Sequence, residues 1–412
     1  MSTSAPPRFE LRCTRCDRTL PENATEGACP CGGILAVEWD LELAGRNIAA
    51  AVDSPPTMLR WRELLPLLDA DPALPAVATP LHEAPRVAAA VGVGSAAVKV
   101  EGMQPTGSLK DRASAVAVAR ADALRLRDIA CASSGNAATA MAGLAAAQGL
   151  CATVFVPLRT PAQKLLQLHA YGARVIVVDG SYEAAYRLCQ EAAPHFGWYN
   201  RNCAQNPYLV EGKKTCGLEI AEQSAASPPH WVAVAVGDGC TIAGIWKGLH
   251  EARELGLVPS VPRMLGVQAA GAATLVDAWH EGAGIEAVEQ RYVAAETVAD
   301  SIAVSHPHNG ERAVEAVRAS DGVLIAVEDD RIAAATLELP RLSGVFAEPA
   351  AAATLAGVRA ARETGVVGPA ERVVIVATGI GFKNTGIVEG AIEAPEPVEP
   401  SLDALAARLA AG

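Results

Sequence analysis

The chain has 412 residues, half of them hydrophobic and only 4% aromatic, so alanine, valine and leucine must fill cores large enough for two α/β domains. A net charge of −12 and a pI near 5.2 leave no basic patch dense enough for nucleic acid or an anionic membrane. No apolar run is long enough to span a membrane and the first residues lack a signal-peptide stretch, so a soluble cytoplasmic protein is expected.

Residues 1–45 read as a Cys-rich ribbon and arm. Cys13-x-x-Cys16 places two thiolates on a knuckle, and Cys29-Pro-Cys31-Gly-Gly33 follows as a turn-rich pair. Together they suit a tetrahedral structural zinc site, although the one-residue spacing of the second pair is tighter than usual. The other reading is a ribbon that folds with free thiols. Cytoplasmic cysteines are expected to be thiols or ligands rather than disulfides. Cys131, Cys151, Cys189, Cys203 and Cys216 fall in apolar or helical runs and read as small core or helix residues.

A helical connector through Arg60-Trp-Arg-Glu-Leu-Leu65 leads into strand–helix alternation, assigned to an N-terminal α/β domain over residues 46–225. Its first strand is Ala96-Ala-Val-Lys-Val100, followed by Gln104-Pro-Thr-Gly-Ser-Leu-Lys110-Asp-Arg112 and a helix-favouring stretch. Ser108 with Asp111 predicts a variant capping box. Lys110 then falls in the first helical turn, where the dipole disfavours a cation. It is either a surface lysine tolerating that cost, or a lysine kept partly neutral for Schiff-base chemistry. A second strand, Asp128–Ala132, runs into Ser133-Ser-Gly-Asn136 and a helix from Ala137 to Ala147. Hydroxyls, N–H groups and an amide at a helix start suit a carboxylate, or form an ordinary N-cap. Strands at Val154–Val156 and Arg174–Asp179 complete the alternation.

The Pro/Ser break Ala225–His230 opens a C-terminal α/β domain over residues 226–412. The buried strand Trp231–Val236 enters Gly237-Asp238-Gly239-Cys240-Thr241 and a helix from about Ile242 to Leu255, the recipe for a phosphate cradle. The next glycine is Gly244, so the dinucleotide spacing fails, and the Gly-Lys-Ser/Thr end of a P-loop is missing. A smaller phosphorylated cofactor is expected. Strands Met264–Gln268 and Val323–Val327 follow, and a last strand, Arg372–Ala377, ends in Thr378-Gly-Ile-Gly381. The tail from Ala394 is Pro/Glu-rich until a short helix. Ligands of open α/β sheets gather beyond the carboxyl ends of the strands, so these four junctions should meet. A reactive lysine, a carboxylate loop, a phosphate loop and a hydroxyl describe a pyridoxal phosphate site.

Further motifs are Trp61-Arg-Glu-Leu-Leu65, Thr79-Pro-Leu81, Asn206-Pro with Glu211-Gly-Lys-Lys-Thr215, Gly244-Ile-Trp-Lys-Gly248, Gly266-Val-Gln-Ala269 and Phe346-Ala-Glu-Pro349. With the ribbon, the lysine and Ser-Ser-Gly-Asn segments and Thr378–Lys383, the chain resembles fold-type II pyridoxal phosphate enzymes of the tryptophan synthase β superfamily. Within them it is most similar to the threonine synthase family. The resemblance implies two open twisted α/β domains, a zinc-ribbon-like extension and a homodimer. It implies a lyase that converts O-phosphohomoserine and water to threonine and phosphate. Lys110 would hold the cofactor and then act as the base. Asn136 would bond the ring hydroxyl, and Gly237, Asp238, Gly239, Cys240 and Thr241 would bind the cofactor phosphate. Thr378 would face the pyridine nitrogen; a hydroxyl there makes the ring a weaker electron sink, which suits elimination and replacement over transamination.

Ser133, Ser134, Gly135 and Ala137 would hold the substrate carboxylate. For the substrate phosphate the candidates are Arg159, Thr160, Lys164, Asn206 and Lys214, of which Lys164 and Asn206 match the family pattern. Departures are Cys240 and Asp238 in the phosphate loop, whose carboxylate must point away, Asn384, and the segment Asp300–Asn309. There His306 and His308 either line the substrate pocket or are ordinary loop histidines. A β-replacement or β-elimination enzyme on O-phosphoserine, serine or threonine, cysteate synthase-like or a deaminase, stays open.

Overall fold

A computed structural model describes residues 8–22, 27–48, 56–203, 205–282, 291–393 and 396–411; the first residues and the predicted onset of the tail at Ala394 lie outside these. The described residues form three sheets. The ribbon is antiparallel, with β1 (Phe9–Cys13) between β2 (Thr19–Pro21) and β3 (Leu35–Trp39). The second sheet takes up β4 (Leu81–Glu83) and β5 (Ser95–Val100), and the third is formed by β6 (Asp128–Ala132), β7 (Cys151–Pro157), β8 (Arg174–Val178) and β9 (Tyr199–Asn200). The remaining strands are β10 (Trp231–Ala235), β11 (Arg263–Ala269), β12 (Val323–Val327) and β13 (Arg372–Ala377).

The third sheet is parallel in the order β8-β7-β6-β9. The second has six strands in the order β12-β11-β10-β13-β5-β4, all parallel except β4 against β5. Strands covered on both faces read as continuous apolar runs, which is why Trp231–Ala235 and Val373–Ala377 are buried throughout. No helix among the described residues is long and apolar enough to cross a membrane.

Sheet membership departs from the domain division read in the sequence. Residues 81–100 lie within the predicted 46–225 domain, yet β5 pairs with β13 from Arg372↔Ser95 to Ala377↔Val100. Strand periodicity reports burial and carries no information about which distant strand completes the ladder. The consequence is functional. The Lys110, Gly237 and Thr378 junctions leave the carboxyl ends of β5, β10 and β13 in one sheet, and Ser133–Asn136 leaves β6 in the other. The site therefore lies between the sheets.

The helix Lys110–Ala123 is buried from Asp111 to Ala121, and its small side chains let the helix Tyr208–Gln223 approach closely. A Cβ at Gly212 would stand 2.1 Å from the Arg112 carbonyl oxygen. Arg112 is itself fully buried, with its guanidinium spread over Glu101 and Glu219 at 2.6–2.8 Å.

Candidate active site

The Lys110 junction is laced to the end of β13. Leu109 N–H donates to the Thr378 carbonyl at 2.9 Å and Ile380 N–H to the Gly107 carbonyl at 3.0 Å. The predicted capping box does not form. Asp111 instead accepts from the Thr106 N–H at 2.6 Å and from the Thr106 hydroxyl, while Ser108 Oγ has no partner and lines the cavity. Pinning Asp111 to Thr106 turns the start of the helix so that Lys110 faces the cavity. Its Nζ has no hydrogen-bond or ion-pair partner among the described residues. Burial and the neighbouring Lys213 ammonium bring the Lys110 amine down to about 8.

Across the cavity runs the loop after β10. Gly239 has φ +91°, and a Cβ there would meet the Asn309 carbonyl oxygen at 2.4 Å, so only glycine lets the loop close on this neighbour. The helix Cys240–Glu254 then starts with no side-chain cap, leaving its first-turn N–H groups to a ligand. Asp238 lines the cavity and is tied to the segment before the next helix: its Oδ1 accepts from the His308 N–H at 2.7 Å and its carbonyl from the Asn309 N–H at 2.9 Å. Burial pushes its carboxyl up to about 7. Cys240 is held down to about 5 by the Cys203 thiol, which hydrogen-bonds to it, and by the Lys213 ammonium. Asn136 Nδ2 donates to both Glu348 oxygens, at 2.9 and 3.0 Å, and Ser301 Oγ bonds the same carboxylate at 3.1 Å. Thr378 completes the wall.

This inner cavity shares Lys110, Asn136, Cys203 and Asp238 with an outer one of about 540 Å³. Ser133, Ser134, Gly135 and Ala137 line the outer cavity. The helix Asn136–Gln148 has no side-chain cap, because Ser133 Oγ accepts from the Gly135 N–H at 3.2 Å. That leaves the helix start open to a carboxylate. Arg201 forms part of the same wall with only 1% exposure; its Nε donates to Ser114 Oγ at 3.1 Å and its Nη2 has no partner. No carboxylate pairs with it among the described residues. His306 and His308 both line this cavity, His308 stacked on Tyr186 at 4.6 Å and 10°.

The residues expected to hold a substrate phosphate lie elsewhere. Lys164 does not line the outer cavity but pairs at 2.6 Å with Asp300, which does, and the Asn206 amide is consumed by the Asn200 carbonyl at 2.9 Å and the Tyr208 N–H at 3.1 Å. Lys214 is buried between Glu211 and Glu251, 2.7 Å from each. Arg159 and Thr160 also stay out of both cavities. Sequence reasoning missed Lys213, Arg201, Asn202, Ser301 and Glu348. Lys213, Ser301 and Glu348 each stood inside a quoted segment, and Glu348 also immediately before a helix-starting proline.

The donor set fits pyridoxal phosphate. An unpartnered amine meets an aldehyde, an uncapped helix start behind Gly239 meets a phosphate, an amide meets the ring oxygen, and a hydroxyl meets the ring nitrogen. The ribbon fits a metal as well. Cys13 and Cys31 Sγ lie 3.5 Å apart, Cys16 and Cys29 Sγ 3.6 Å, and all four sulfurs fall within 4.8 Å of one another. Thiolates about 2.3 Å from a tetrahedral zinc stand about 3.8 Å apart.

Residues 74–379 match the family described as pyridoxal-phosphate dependent enzyme. The threonine synthase of Methanosarcina acetivorans is 34% identical over 399 residues, covering 96% of this chain and 98% of the relative. That of Methanocaldococcus jannaschii is 33% identical with the same coverage. Threonine synthase of Mycobacterium tuberculosis is 37% identical over 306 residues, 74% of this chain and 82% of the relative. Among solved structures, maize serine racemase superposes with a TM-score of 0.65 at 23% identity, covering 76% of this chain and 91% of that one. The processed threonine deaminase isoform 2 of Solanum lycopersicum gives 0.63 at 22%, covering 85% and 93%. These two bear on the fold alone.

Proposed function

Because the chain belongs to the pyridoxal-phosphate dependent enzymes, and within them to the threonine synthase family, we propose that it converts O-phosphohomoserine and water to threonine and phosphate. The observation that carries this reading is Arg201. Burying an unpaired guanidinium is costly, so a cation left without a carboxylate in the wall of the substrate cavity calls for an anion that arrives with the substrate. An amino-acid carboxylate already has the Ser133–Ala137 loop. The second anion is the phosphate.

Lys110 Nζ, the N–H groups of Gly237–Thr241, Asn136 and Thr378 would hold the cofactor. Once bound, it supplies the electron sink that allows bonds at the substrate Cα, Cβ and Cγ to be broken and made. The chain's own groups do the rest. The Ser133–Ala137 loop fixes the carboxylate, which orients Cα toward Lys110. Lys110, about half neutral at pH 8, takes and returns protons there. Arg201 binds the leaving phosphate, offsetting the charge that develops as the Cγ–O bond breaks, while Asn202, whose Oδ1 accepts from the Ala132 N–H at 2.8 Å, holds the strand end beside it. Glu348 holds the Asn136 amide in place.

Zinc at Cys13, Cys16, Cys29 and Cys31 belongs to the same reading, supported by the thiol spacings, as do a homodimer and a cytoplasmic location, supported by likeness to the family. The test is phosphate release by cofactor-loaded protein given O-phosphohomoserine, with the organic product identified. Phosphate and threonine in equal amounts are expected. Cofactor binding with no phosphate from this substrate, but turnover of O-phosphoserine, would replace it with the β-replacement reading. Arg201→Gln should raise KM for the phosphorylated substrate while cofactor binding holds.

A further inference from the structure

We infer that Thr14 and Glu311 are positioning residues that tie the Cys-rich knuckle to the phosphate loop, so that metal in the ribbon tightens the hold on pyridoxal phosphate. The inference rests on the cofactor and metal assignments just made. The path is continuous. Thr14 and Arg15 are the two residues between Cys13 and Cys16, so a metal that fixes those thiolates fixes them too. Thr14 is anchored on its other side by its N–H, which donates to the Ile34 carbonyl at 2.9 Å. Its hydroxyl donates to Glu311 Oε1 at 2.7 Å, and Arg15 Nε stands 3.8 Å from Glu311 Oε2.

Glu311 is 3% exposed and is the second residue of the helix Gly310–Ala319. The residues just before that helix grip the phosphate loop through the two bonds to Asp238, and the Asn309 carbonyl and Ala313 methyl sit against Gly239. A buried carboxylate near a helix N-terminus is held by its few partners; here Oε2 has no hydrogen bond, so the Thr14 hydroxyl on Oε1 and the Arg15 charge are what the knuckle supplies. A shift of Thr14 therefore moves Glu311, and with it the backbone on which Gly239 rests.

Coupling of this kind is reciprocal, which gives two readouts in the full-length protein. One is the Kd for pyridoxal phosphate, measured by absorbance in zinc-loaded and chelator-stripped protein. The other is the rate at which a chelator withdraws zinc, with and without the cofactor. Stripping is expected to weaken cofactor binding in the natural chain by roughly tenfold, and the cofactor to slow zinc loss. Glu311→Gln should keep one zinc and the same circular dichroism. It should bind the cofactor about as weakly as stripped protein, and lose both responses. Thr14→Val should behave alike. Equal responses in the natural chain and in Glu311→Gln would overturn the inference, as would a natural chain that binds no zinc or ignores its removal. Zinc-loaded protein that takes up no pyridoxal phosphate would overturn the cofactor assignment as well.

Discussion

A lysine without a partner in a cavity is set by its surroundings. Burial and Lys213 lower Lys110 from the usual 10.5 to about 8, so its neutral fraction rises as pH passes through 8. Covalent capture of pyridoxal phosphate by cofactor-free protein should therefore speed up about tenfold per pH unit below 8 and level off above it. Stopped-flow absorbance would show this, and a rise continuing to pH 10 would contradict it. Lys213→Gln removes the second cause and should move the plateau upward; Lys110→Ala should abolish the covalent absorbance band. Lys110 was legible in the sequence because a cation at a helix start is out of place. Arg201 was not: it follows the two-residue strand β9, and only the fold reveals that no carboxylate among the described residues pairs with it.

Strand, loop and helix recur at each wall of the site, and the loops differ in what their first turns leave open. Gly239 shows how tightly one is built. An alanine there must adopt φ near +91° and stand 2.4 Å from the Asn309 carbonyl. Gly239→Ala should cost about 1–3 kcal/mol of backbone strain, felt mainly as a cofactor Kd raised tenfold or more. Fluorescence titration would measure it, and unchanged affinity would mean the loop is looser than it stands. Glycine spacing made this cradle readable in advance, because only a few residue types permit the turn. The capping box at Ser108 misled because Thr106, five residues before Asp111, competes for its carboxylate from a turn that local spacing does not describe. The assignment of β5 failed for a similar reason at longer range: its partner β13 lies far along the chain.

Across the whole molecule, β5, the helix Lys110–Ala123 and the helix Tyr208–Gln223 are held together by a buried ionic cluster. Arg112, two residues from Lys110, bonds Glu101 after β5 and Glu219 on the helix Tyr208–Gln223, and Lys99 reaches Glu219 at 2.6 Å. None of these groups is more than 3% exposed, so each charge depends on the others. Burial alone would raise the Glu101 carboxyl, yet Arg112 holds it down to about 2. A carboxyl depressed from 4.5 in this way contributes stability in full above pH 4.5 and loses it as pH falls toward 2. Arg112→Met keeps much of the volume and leaves Glu101 without its guanidinium, held only by the Thr79 hydroxyl, the Gln104 amide and the field of Lys99, itself bonded to Glu219. The variant should lose about 3–5 kcal/mol at pH 7, since an unpaired buried charge remains. Between pH 5 and 7 the variant should also gain a slope that Glu101 does not give the natural chain. Glu101 would then titrate above its unfolded value, so acidification toward pH 5 should stabilise the variant relative to its own pH 7 state. Urea unfolding at pH 5 and 7 separates the cases: a parallel pH profile would mean that the cluster is packing alone. A variant that gains more stability than the natural chain on going from pH 7 to 5 would mean that Arg112 sets the charge state of the interior on which Lys110 stands.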